Sequence, residues 1–233
     1  MMSDALAEAL AGASRLLDAS IAQRTWAHAG WVAFAMATAV AIAIPCAWIA
    51  SRSPGTERGL RRACDVASSV PVLAWLGLCA ALLDSGAAIA CFLLAATAPA
   101  LLRGALDGVR AVDPDLVDVS VALGLGAGAR ARIVTVPMAM PGFFNGLRDA
   151  STRASGATAL AAIAGAGGYG ELIVDGIRAG DPPMMLSGTL AVALFTAVLR
   201  LAISLGERAL PPLWGARVGR PARSGGSDRD DSR

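Results

Sequence analysis

Two glycine-rich stretches have the spacing of a known chemistry. "GAGGYG", Gly165 to Gly170, fits G-x-G-x-x-G, the turn that cradles a dinucleotide pyrophosphate, and "GLGAGA", Gly124 to Ala129, fits the looser G-x-G-x-x-A. That chemistry needs a buried strand before the turn, a helix after it and an acidic residue about 20 positions on. Other reactive groups are sparse. The one histidine is His28, and the four cysteines, Cys46, Cys64, Cys79 and Cys91, lie in or beside apolar runs with no C-x-x-C or Cys/His spacing. Neither a zinc site nor a disulfide scaffold is expected from them; they read as small buried hydrophobes, and His28 as an interfacial residue. Asp149 and Arg153 stand four apart in otherwise apolar sequence. On one helix they either line a polar path or neutralise each other against neighbouring helices.

The elements that must hold these residues are membrane helices. The chain has 233 residues, 55% hydrophobic and only 16% charged, with 26 glycines and few aromatics. Charged residues make up about 25% of ordinary soluble domains. Small residues at this density suit closely packed helices in lipid. All 20 basic residues are arginine, and the net charge of +2 gives no reason to expect a nucleic-acid partner.

Charge-free runs of about 17–25 residues can cross a bilayer as helices. Gly30–Ala50, Val66–Leu83, Ser85–Leu102 and Pro182–Leu199 qualify, without the strict alternation of a barrel strand. Two shorter runs, Ile133–Leu147 and Ala154–Gly170, flank "RDASTR" and leave one span or two open. Arginine distribution decides, because basic loops stay cytoplasmic. The segment Ser51–Ala63 holds Arg52, Arg58, Arg61 and Arg62, the segment 103–132 holds four arginines, and the tail after Ser204 holds six. Between Gly165 and Pro183 there is only Arg178. One span within about Pro141–Ala164 puts all three arginine-rich segments inside. The expectation is an all-α membrane protein with five transmembrane helices, N-terminus out and C-terminus in. Residues 1–29 are expected as an amphipathic helix on the outer surface, residues 30–210 as the transmembrane domain and residues 211–233 as a disordered cytoplasmic tail. Residues 1–29 have no basic start or apolar core of a cleaved signal.

A cytoplasmic loop at about residues 113–137 carries its own signals. Asp113 can cap a helix whose first residue is Pro114, with Asp115 favourable in the first turn. That helix should stop near Gly124 or Gly126, and a second short helix should run from about Ala127 to Val136, ending before Pro137. Such a loop is either a docking element for another protein or a connector lying on the surface.

The loop resembles the coupling loop of ABC importer permeases, whose pattern is E-A-A, three residues, G, nine residues, I-x-L-P. The matching positions are Asp118-Val119-Ser120, Gly124 and Val134-Thr135-Val136-Pro137, with the spacing intact and the letters changed. "SSVPVLAWLGL" is similar to the family's second core helix, and "APALLRGALDGVRAVDPDLVD" to its loop entry. "PMAMPGFFNGLRDA" and "ATALAAIAGAGGYGELIVDGI" are most similar to permeases for glycine betaine, choline and carnitine. The resemblance covers roughly residues 25–210. It implies an osmoprotectant importer subunit in the bacterial cytoplasmic membrane, with no catalytic residue, no metal and no cofactor of its own. ATP and Mg would be used by a dimeric cytoplasmic ATPase docked on Asp118, Ser120, Gly124, Val134 and Pro137. The other implied partners are a second permease copy or paralogue and an extracytoplasmic binding protein. Gly165, Gly167, Gly168 and Gly170 would then form a turn at the outer mouth, not a dinucleotide site. Neither glycine stretch continues into G-K-[ST], so neither is a P-loop. A methionine or sulfonate importer permease, a membrane-bound NAD-linked enzyme and a non-transporting scaffold are the competing readings.

Overall fold

A computed structural model describes residues 19–209. Among them there is no strand, and three helices are individually long and apolar enough to cross a membrane. Two further helix pairs, each sharply bent, bring the number of candidate spans to five if each pair counts as one.

Helix α1, Ala19–Ala50, is 32 residues long, about 48 Å at 1.5 Å per residue. It runs without a break past residue 29, so residues 19–29 are part of a spanning helix and not of a separate surface helix; residues 1–18 of that expected element lie outside the described residues, as do residues 210–233. One seam of α1 is buried: His28, Val32, Ala35, Ala39, Ala43 and Ala47 recur at intervals of three or four. Intervals of three and four keep to one face of a 3.6-residue helix, and alanine lets the neighbouring backbone come close. Trp26, Phe34, Ile42 and Ile49 are exposed on the remaining surface.

The expected span Val66–Leu83 is corrected. The chain instead makes α2, Pro54–Ser69, and α3, Val72–Leu82, at 90° to each other. Pro71 causes the break. It has no N–H to continue the helix, and it holds Val70 in the extended region, at φ −73° and ψ 126°. With 11 residues, α3 is about 16 Å long, roughly half the bilayer core. Ion pairs tie α2 to the next helix, α4, Ser85–Arg110: Arg61 to Asp107 at 2.6 Å and Arg103 to Asp65 at 3.0 Å.

After α4 come α5, Pro114–Ala122, and a short α6, Ala127–Arg130. The expected stop before Pro137 does not occur. A π-helical turn, Ala131–Thr135, joins α6 to α7, Val136–Ala161, in one helical run. Val136 N–H bonds back to Ala131 O, five residues earlier. A wide turn of this kind accommodates the proline that would break a regular α ladder.

The core of the bundle is the crossing of α4 with α7. Gly104 and Gly108 of α4 face Gly146 and Gly142 of α7, and a Cβ built on any of the four would run into the partner's main chain. Each pair has four-residue spacing, "GALDG" against "GFFNG", the arrangement that lets helix backbones touch. Leu101 and Leu106 fill the space beside this contact, and Phe92 and Leu93 the space further along α4. A 3-10 turn, Ala162–Ala164, ends this run; α8, Tyr169–Ala179, follows at 51° to it, and α9, Pro182–Ala209, returns along α7 and α8.

Candidate functional site

Three places concentrate polar chemistry on this frame. The first is the α5–α6 loop. Asp113 caps α5, its Oδ1 accepting the Asp115 N–H at 2.9 Å, with Pro114 in the first turn. The helix ends where expected. Gly124 sits at φ +76°, its N–H donates to Val121 O at 2.9 Å, and the Leu125 N–H reaches Ser120 O at 3.1 Å. This paired bonding is the Schellman stop, and its left-handed residue costs a side chain about 1–2 kcal/mol. Motif residues divide by direction. Ser120 is buried and its hydroxyl donates to Val117 O, Pro137 is buried within α7, and Val134 is half-buried. Asp118 and Gly124 are exposed. Around them stand Leu116, Val119, Val121 and Leu123, the last 75% exposed. A cavity of about 420 Å³ behind α5 is bounded by Asp118, Arg52, Arg130 and Trp48, with the Arg52 guanidinium 5.2 Å from the centre of the Trp48 ring.

The second place is the glycine stretch. Gly165, Gly167 and Gly168 have φ of +87°, +78° and +81°, which bends the chain between the 3-10 turn and α8. Gly170, one residue into α8, has no room for a Cβ against Ala159 O. The turn follows a helix, and side chains of α1 hold it. Trp31 Nε1 donates to Ala166 O at 2.9 Å, Thr25 and Tyr169 share a hydrogen bond of 2.8 Å, and Arg24 pairs with Glu171 at 2.9 Å. His28 is completely buried here, so the expectation of an interfacial residue is corrected. Its ring packs against Tyr169 and edge-on to Phe195, with centroids 4.9 and 5.0 Å away. Its Nε2 lies 3.2 Å from Ser155 Oγ, which also accepts from Thr196 at 2.7 Å. One imidazole thus joins α1, α7, α8 and α9. Composition gave no sign of this; the sign was register, because His28 is in phase with the alanine seam of α1.

The third place is the open face of α7, where Asn145, Asp149, Thr152, Arg153 and Gly156 are exposed. The expected Asp149–Arg153 pair does not form. Asp149 lies 3.9 Å from Arg200 of α9 instead, and Arg200 also donates to Thr152 Oγ1 at 2.7 Å. One turn earlier, Arg148 pairs with Glu207 and donates to Asn145. Arg153 makes no ion pair or hydrogen bond among the described residues, and it borders a cavity beside the α2–α3 break. The four cysteines form no disulfide, and no three His, Cys, Asp or Glu among the described residues converge as metal ligands would.

Comparison with known proteins gives one family and several relatives. The family model described as "binding-protein-dependent transport system inner membrane component" matches residues 39–214. An osmoprotectant import permease protein of Salmonella typhimurium is 31% identical over 189 residues, covering 79% of this chain and 80% of the relative. A carnitine transport permease protein of Listeria monocytogenes is 28% identical over 205 residues, 87% of this chain and 92% of the relative. A choline transport system permease protein of Bacillus subtilis is 25% identical over 194 residues, 81% and 88% of the two chains.

Proposed function

We infer the activity from a plain premise: the chain belongs to the binding-protein-dependent transport system inner membrane component family. On that footing it is the membrane-spanning subunit of an ATP-driven importer for quaternary-ammonium osmoprotectants of the glycine betaine, carnitine and choline type. The observation that carries the reading is the α5–α6 loop. A capped helix with a glycine stop, showing Leu116, Val119, Val121 and Leu123 to the outside around Asp118, is shaped to dock in a groove of another protein. Apolar contact in such a groove supplies affinity, and the Asp118 carboxylate supplies register.

The partner at this loop is a cytoplasmic ATPase, which uses ATP and Mg. The loop hangs between the end of α4 and the start of α7, so closure of two ATPase subunits would push both helices together. Two permease copies, or this chain and a paralogue, pair around a two-fold axis and enclose the path. The open polar face of α7 fits that path, because charged groups in spanning helices face protein or water. A binding protein delivers substrate at the opposite end, where the glycine turn at Gly165–Gly170 forms the mouth. In this reading the chain crosses the cytoplasmic membrane with its N-terminus outside and its C-terminus in the cytoplasm, in keeping with the arginine distribution.

The test is uptake by the complete complex in liposomes, with labelled glycine betaine, carnitine, choline and methionine supplied through the cognate binding protein. ATP-dependent uptake of at least one quaternary ammonium supports the reading. Uptake of methionine alone moves the chain to a different substrate class, and no ATP-dependent uptake at all rejects it.

A further inference from the structure

The right-angle break between α2 and α3 leaves a cavity of about 290 Å³ against the open face of α7. Most of its wall is small and apolar, supplied by residues such as Ala67, Val70, Ala96 and Ala157. Ser68 adds a hydroxyl, and two larger residues on the wall differ in kind. Trp75 is aromatic, and its Nε1 already donates to Ala67 O at 3.1 Å, so the indole has apolar ring surface to offer rather than a donor. Arg153 is the one charged residue on the wall. Its candidate counterion, Asp149, lies by Arg200. An uncompensated guanidinium among membrane helices is costly to keep. Its planar fork of donors matches a carboxylate in two parallel hydrogen bonds. A methylated ammonium, in contrast, is attracted to an indole face.

We propose that this cavity is a carboxylate-selecting subsite on the transport path. Arg153 takes the carboxylate of a zwitterionic quaternary ammonium while Trp75 lies against its methylated nitrogen. The proposal rests on the importer reading above and adds to it a choice among substrates. A zwitterion such as glycine betaine or carnitine presents one group to each residue. Choline has a hydroxyl where these have a carboxylate, so it brings only the positive charge that Arg153 repels.

The full importer, with its ATPase and binding protein, is reconstituted and its uptake of labelled glycine betaine and choline compared. Arg153→Met lowers the betaine-to-choline ratio about tenfold relative to wild type, the scale of a lost charge-assisted contact, and Arg153→Lys, which keeps the charge, lowers it less. Gly156→Asp reaches the same answer from another position if the methionine variant assembles poorly. A Cβ at Gly156 meets nothing within 4 Å, and the new carboxylate, three residues from Arg153 in the same cavity, competes for the guanidinium. Its ratio also falls. A wild-type ratio in the assembled variants, or equal loss of both substrates in each, overturns the subsite. Absence of uptake of either substrate by the wild-type complex is a different failure, that of the importer reading itself.

Discussion

Gly124 shows how much one backbone angle can carry. At φ +76° it stops α5 and turns the chain, yet nothing stands within 4 Å of the place its Cβ would occupy. A substitution there is therefore resisted by torsion and not by crowding. Gly124→Val places a β-branched residue in the left-handed region, at a cost of about 1–2 kcal/mol or more. The strain falls on an exposed loop, so the variant is expected to insert and reach the membrane in normal amounts. ATPase co-purification and substrate-stimulated hydrolysis should both drop, by about tenfold for hydrolysis if the strain of about 1.4 kcal/mol is felt in docking. Wild-type values for both would show that the loop is not the docking element. His28 and Arg153 make the complementary point. Their chemistry was visible as residue types, but each was assigned by its neighbours in sequence, whereas Ser155, Tyr169 and Phe195 reach His28 from 127 to 167 positions away, and Arg200 on another helix takes the carboxylate expected to pair with Arg153.

The α4–α7 crossing sets the tolerance of whole elements. Because Gly108 faces the main chain at Ala139, Gly108→Val forces the two helices apart, and overpacking typically costs about 1–3 kcal/mol or more. Gly30→Ala is the matched control, since a Cβ there meets nothing within 4 Å. The expected result is loss of monodisperse protein and a lower melting temperature in detergent for the valine variant alone; equal behaviour of the two would remove the crossing from the core. What the sequence disclosed at this scale depended on the kind of signal. Charge-free length found α1, α4 and α9, because desolvation in lipid acts on each residue separately. It misread Val66–Leu83, since hydropathy does not register that Pro71 ends a helix. It stopped the second loop helix at Pro137, since a π turn depends on where the next helix must pack. The four-residue glycine spacings were readable, but which two helices they join is settled only when the chain folds.

For the molecule as a whole, orientation is the expectation with the widest reach. From the arginine asymmetry, Arg61 and Asp118 are expected on the cytoplasmic side and Asp84 and Asp181 on the other. In a background lacking Cys46, Cys64, Cys79 and Cys91, single cysteines at positions 84 and 181 should react with a membrane-impermeant thiol reagent in intact cells. Those at 61 and 118 should react only after permeabilisation. Reaction of position 118 in intact cells would invert the molecule and detach the loop from any cytoplasmic ATPase.

A linkage loses stroke wherever its parts yield. Long side chains at a helix contact can change rotamer and absorb movement, but at Gly104, Gly108, Gly142 and Gly146 there are none to do so. The crossing beside the α5–α6 loop is consequently a joint of low compliance, and if an ATPase pushes on the loop, the push is expected to reach the far ends of α4 and α7 as rotation rather than as local deformation. Gly142→Ala sets a methyl against the Gly108 main chain, where there is no room for it, and so wedges that joint open. Its expected mark is slippage: hydrolysis near the wild-type rate with more ATP consumed per molecule imported, where an unchanged stoichiometry would mean that the stroke travels by another route.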